Sequence, residues 1–167
     1  MATGIRQLID EDKFPEAVQK IADLRDEKFR EQLNTYLSFR MAEFSLKKRE
    51  WDAFNIQVIR VSDAKLRTYL ILSAAHAAAD AKNKKMSSDF LLTAMASFSK
   101  IDDADARAAA LVTTAGIIYS EADPTWGAQV LTESVNAINR TNRYDGSVYA
   151  VTIEVPKYNV WLPLPKS

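Results

Sequence analysis

Three copies of one short pattern set the terms on which this chain can fold. An apolar residue, an aspartate two positions later and an arginine four beyond that recur as Leu24/Asp26/Arg30, Val61/Asp63/Arg67 and Ile101/Asp103/Arg107. The copies stand 37 and then 40 residues apart, counted from Leu24 to Val61 and from Val61 to Ile101. The residues before each copy repeat as well. Phe14, Ala17, Ile21 and Leu24 align with Trp51, Phe54, Val58 and Val61, then with Leu91, Ala94, Phe98 and Ile101. Steps of 3, 4 and 3 lay such side chains along one stripe of an α-helix. A fourth stripe follows at Ala128, Leu131, Val135 and Ile138. First helices are therefore expected at about 14–25, 50–61, 88–101 and 125–139.

In the first three copies a second helix is expected to begin at the repeated aspartate. Its inner stripe is Phe29, Leu33, Tyr36, Leu37, Met41 and Phe44 in one copy, and Leu66, Leu70, Ala74 and Ala77 in the next. A very short turn makes the two helices antiparallel neighbours. Asp26, Asp63 and Asp103 fit the N-cap, where a carboxylate accepts bonds from free backbone amides and meets the positive end of the helix dipole. A pairing of Arg30, Arg67 or Arg107 along its own exposed helix is worth only about 0.3–0.5 kcal/mol. A recurring arginine makes more sense as a link to a carboxylate in the next repeat. The runs Ala74–Ala79 and Ala104–Ala110 are alanine-rich, which lets helix axes approach closely.

Helix pairs at a period near 40 are the mark of an α-solenoid, in which no unit buries its apolar face alone. The fold class expected is all-α: a right-handed superhelix of antiparallel helix pairs, with repeats near 12–48, 49–86, 87–124 and 125–146 in one domain, 1–146. The residues Asp63-Ala-Lys-Leu66-Arg67 and Asp102-Asp103-Ala-Asp-Ala106-Arg107 resemble the Asp and apolar-Arg pair of HEAT-like repeats. The resemblance covers roughly residues 14–140. Tetratricopeptide (TPR) repeats, with a period of about 34 residues, are the alternative helix-pair family. Either resemblance implies binding of proteins or peptides and carries over no catalytic residue.

The fourth copy has Arg140 in the aspartate slot and Tyr144 in the arginine slot, so the array is expected to end there. Beyond Gly146 the period changes from helical to two, with Tyr149, Val151, Ile153 and Val155 on one face. Residues 147–167 are thus expected as an extended or β-hairpin tail. A lone hairpin is marginal in water, so the tail is expected to cover the fourth repeat. At the other end, Ile5, Leu8 and Ile9 read as the end of a helix whose beginning is missing.

Charge and composition narrow the function classes. Lys+Arg and Asp+Glu both number 22, and each sign contributes 11 residues to the first 60, so no net field favours nucleic acid or an anionic membrane. With no cysteine there is no disulfide, thiolate metal site or cysteine nucleophile. No run approaches the roughly 18 apolar residues of a membrane span, so a soluble chain, cytoplasmic or exported, is expected. The four glycines, at 4, 116, 127 and 146, cannot build a phosphate-cradling loop. His76 is the only histidine, and its equivalents by spacing, Phe39 and Gly116, mark a packing position rather than a triad or metal ligand. Asp102, Asp103 and Asp105 lack the glycine and distal Glu of a calcium loop and read as a helix start. Lys82-Asn83-Lys84-Lys85 reads as a solvated turn.

No catalysis and no cofactor are expected; the alternatives are an enzyme whose site no motif encodes and a structural segment of a larger protein. A carboxylate pair facing one pocket would favour the enzyme. The expected function is a protein or peptide interaction module. Candidate partner contacts come from a ladder on the second helices: Gln32, Thr35 and Phe39, then Tyr69, Leu72 and His76, then Ala109, Val112 and Gly116. Phe39, Tyr69, Leu72 and His76 are its candidate partner contacts; Tyr69, Phe39 and His76 offer aromatic surface with polar tips. The competing reading makes this ladder the seam between repeats.

Overall fold

The computed structural model describes residues 2–118, 120, 123–141, 150–155 and 158–163, with side chains placed for residues 4–118, 120 and 123–141. Eight α-helices lie among them: α1 Ala2–Asp10, α2 Phe14–Ala22, α3 Glu27–Lys47, α4 Trp51–Arg60, α5 Ala64–Asp80, α6 Lys84–Ser97, α7 Ala104–Ile117 and α8 Pro124–Ile138. A single 3₁₀ turn, Phe98–Lys100, continues α6. The segments Ala150–Val155 and Tyr158–Pro163 run extended and pair with each other. The expected covering of the fourth repeat by residues 147–167 concerns side chains outside the described residues. The chain clusters into two compact units, Met1–Arg67 with Thr152–Leu162, and Thr68–Val151 with Pro163–Ser167.

Two kinds of turn alternate along the helices, and each has one physical cause. The first kind joins α2 to α3, α4 to α5 and the 3₁₀ turn to α7. Asp26 accepts from the Phe29 amide at 3.0 Å and Asp63 from the Leu66 amide at 2.8 Å, while Asp103 accepts from the Asp105 and Ala106 amides, both at 3.0 Å. These bonds satisfy amides that a helix start leaves free. The carbonyl of each aspartate accepts the amide of the arginine four residues on, at 3.0 Å in all three. Just before it, Leu24, Val61 and Ile101 are buried and donate their amides three residues back, at 3.1, 3.2 and 3.1 Å. The recurring Leu/Asp/Arg pattern is thus the sequence of one turn.

The second kind joins α1 to α2, α3 to α4 and α5 to α6. Asp12, Arg49 and Lys82 adopt φ of 58°, 57° and 59°. Each amide bonds three residues back, and the next residue's amide bonds five back: Lys13 to Leu8, Glu50 to Ser45 and Asn83 to Ala78, at 2.9, 3.0 and 2.9 Å. This is the double bond of a helix closed by a left-handed residue. Asp123, bonded to the Ile118 carbonyl at 3.0 Å, repeats the five-back bond before α8 and caps it through Thr125 and Trp126. By this register α1 ends as a second helix does. The basic segment at Lys82 is only half a turn, since Lys84 already opens α6.

Counting from the residue that makes the five-back bond gives a common register for the first helices. Four positions on, Ala17, Phe54, Ser87 and Gly127 are all buried. Eight positions on, Ile21, Val58 and Leu91 are 2%, 7% and 0% exposed, but Leu131 is 50% exposed. The fourth stripe expected from a fixed spacing is therefore turned: α8 buries Gly127, Val130 and Ser134, and leaves Ala128, Leu131 and Val135 exposed.

In the first unit α1 packs on α2 and α3, α2 on α3, and α3 on α4. Phe39 and Phe54 are fully enclosed, and Phe14 meets Phe44 edge to face at 5.5 Å beneath the Lys48 ammonium. In the second unit α6 and its 3₁₀ turn pack on α7, and α7 on α8. There the core is built on Ala74, Ala75, Ala78, Ala108, Ala109 and Ala110, all nearly inaccessible. The Ser87 hydroxyl, also buried, donates to the Ala75 carbonyl at 2.9 Å.

Candidate functional site

A cleft of about 430 Å³ runs beside the first half of α3 in the first unit. Glu27, Arg30, Glu31, Asn34, Thr35 and Ser38 form its floor, and helical spacing puts these six on one side of α3. The facing wall is Arg60, the last residue of α4, and Ser62 in the turn after it. Among the described residues, no apolar side chain lines it.

The turn holding Ser62 is braced from both sides. Val61 is wholly buried, Asp63 caps α5, and the Arg67 guanidinium donates from Nε to the Val61 carbonyl at 2.8 Å and from Nη2 to the Ser62 carbonyl at 3.4 Å. Arg67 thereby positions one wall of the cleft. Its bonds lie within its own helix pair, where a link to the next repeat was expected. Arg30 pairs with Glu27 at 3.6 Å on α3 itself, and the half-buried Arg107 has no side-chain partner among the described residues.

The link between consecutive second helices is made elsewhere, by the Tyr36 hydroxyl donating to Asp10 and by Arg40 reaching Asp12 at 3.5 Å while held by Glu43 at 2.6 Å. No repeated spacing marks Tyr36 or Arg40, so periodicity alone does not find them.

The electrostatics of the cleft are mixed. The Glu27 side chain is 88% exposed, Arg30 is 42% exposed, and Arg60 and Glu31 are exposed with no partner among the described residues. Guanidinium groups on two different elements can grip a planar carboxylate, and Asn34, Thr35, Ser38 and Ser62 supply neutral donors and acceptors. The arrangement suits reversible binding of a polar ligand.

The sequence-derived ladder does not form such a surface. Phe39 and Leu72 are 1% and 0% exposed, so neither offers area to a partner. Tyr69 and His76 are half-buried, and of the ladder only Thr35 lies on the cleft. His76 is 3.7 Å from Asp80, four residues on. Counted back from the left-handed turns, its counterparts are Arg6 and Glu43, whose pairs with Asp10 and Lys47 occupy the same two positions. The equivalence with Phe39 fails because α3 has 21 residues and α5 has 17, one helical turn fewer.

Among the described residues no group of three His, Asp or Glu side chains is placed to hold a metal ion, and no helix is long and apolar enough to cross a membrane. No protein-family model matches the chain, and neither a curated protein nor a solved structure matches it.

Proposed function

We propose that this chain is a protein or peptide interaction module whose helix pairs stack as a HEAT-like α-solenoid, with TPR-like stacking as the alternative, and that it takes an extended polar segment of a partner along α3. The polar cleft is the observation that carries this reading. From Glu27 to Ser38 the floor is roughly 16 Å long, enough for about five residues of extended chain. Arg30 and Arg60 would hold a carboxylate of the segment, while Asn34 and the hydroxyls meet its backbone. The reading assigns the protein no chemistry and no nucleic-acid partner. Glu27 and Glu31 do face one cleft, but Glu27 stands in bulk water, without the water-excluded setting that electrostatic catalysis uses. The tail, on this reading, is a β-like hairpin that follows the array.

Selection of displayed peptides on the intact chain tests the proposal. Enriched peptides should carry Asp or Glu, and Arg60→Ala or Arg30→Ala should weaken them about tenfold or more, the loss of one charged hydrogen bond. Lys84→Ala, on α6, should leave them unchanged. Failure to enrich any peptide, or equal binding by all variants, would remove the cleft from the account.

A further inference from the structure

Among the described residues, the last helix leaves uncovered a position that the other first helices bury. Leu131 stands where Ile21, Val58 and Leu91 are enclosed, yet half of it is exposed, and Val135 one turn on is 49% exposed. With Ala128 and Ile138 they repeat at steps of 3, 4 and 3, the spacing of a two-helix seam. From these observations we infer that a second copy of this chain docks on this stripe, α8 lying antiparallel on α8 about a two-fold axis.

The stripe is self-complementary in size and charge. About an axis midway between Leu131 and Val135, Leu131 faces Val135 of the partner subunit and Ala128 faces Ile138 of the partner subunit, a large residue against a smaller one each time. The exposed flank beside the stripe, Thr125, Thr132 and Asn139, is uncharged. Helical geometry puts Glu133 and Arg140 on the far side of α8, so no like charges meet across the axis. A complementary occupant from the other end of the molecule is disfavoured, because the exposed residues of α1, such as Gln7 and Asp10, are polar. α8 has 15 residues and is roughly 22 Å long, so the contact falls at the small end of specific interfaces and the association is weak.

Sedimentation of the intact chain, from about 5 μM to about 500 μM, reads this directly. The weight-average mass should rise from 18.7 kDa toward twice that value. Leu131→Glu should weaken association at least tenfold with helicity unchanged, since Leu131 is already half in water. Leu92→Glu, at a comparably exposed leucine on α6, should not affect it. The double substitution Leu131→Glu with Val135→Lys sets opposite charges across the axis and should recover association. A monomer throughout the range, dimers indifferent to Leu131→Glu, or no recovery in the double variant would overturn the inference.

Discussion

Replacing Arg49 with glycine should make this protein more stable, although the change deletes a whole charged side chain. Arg49 sits at φ 57°, is exposed, and has no side-chain partner among the described residues. A side-chain-bearing residue in the left-handed region costs about 1–2 kcal/mol, and glycine escapes that cost. Against this, glycine's greater freedom in the unfolded chain costs about 0.5–1 kcal/mol. The net expectation is a gain of about 0.5–1 kcal/mol, or roughly 1–4 °C for a chain of this size. Lys82→Gly should gain a similar amount, for the same reason. Asp12→Gly should come out near zero, because it also removes the carboxylate that Arg40 reaches. Arg49→Ala, which keeps the Cβ, should gain nothing. Urea unfolding followed by far-ultraviolet circular dichroism measures all four. A loss of about 1 kcal/mol in Arg49→Gly, as for glycine placed inside an ordinary helix, would show that the turn register is wrong.

Other substitutions probe the remaining joints. Asp103→Ala removes the acceptor of two amide bonds and should cost about 1–2 kcal/mol in the same assay, whereas Asp103→Asn keeps the acceptor and should cost well under half of that. Leu72→Ala should cost about 2–5 kcal/mol because the side chain is wholly enclosed. His76→Ala removes a half-buried side chain 3.7 Å from an exposed Asp80 and should cost well under the Leu72→Ala value, about 1 kcal/mol or less; thermal melts of the two variants suffice. At the α1–α2 turn, a hydrogen bond from the Lys13 ammonium, helped by the Gln7 amide, holds the Glu11 carboxyl below the usual glutamate range. A group depressed in the folded state favours folding above its unfolded value and loses that effect as the pH falls through its folded one. Carboxyl NMR titration should therefore place the Glu11 midpoint below that of free glutamate and find it raised in Lys13→Ala; no change in the variant would contradict the contact.

What could be read in the sequence was what repeats in residue type. Asp26, Asp63 and Asp103 start helices because a carboxylate suits free amides, and the apolar residue two before each of them is buried. The left-handed turns were not legible, because Asp12, Arg49 and Lys82 fill positions that glycine usually marks. Without them the register had to be carried forward by fixed spacing. That spacing fails once α5 is a helical turn shorter than α3, so His76 corresponds by register to Glu43 and not to Phe39. For the same reason the buried stripe on α8 is turned from the one that fixed spacing predicts. The cleft is not legible for a different reason: its lining among the described residues is polar, and in a sequence such a helix face looks like any solvated one. Only the braced turn at Ser62 sets it apart in the structure.

The reading of function stands or falls on where a bound peptide touches the protein. Amide and side-chain NMR shifts of the isotope-labelled chain, recorded while an enriched acidic peptide is titrated in, locate that contact residue by residue. Shifts should saturate together at Arg30, Asn34, Thr35 and Ser38 on α3 and at Arg60 and Ser62 opposite, with Arg67 following through its bonds to the turn. Shifts confined to α6 and α8, or spread without saturation, would contradict that reading.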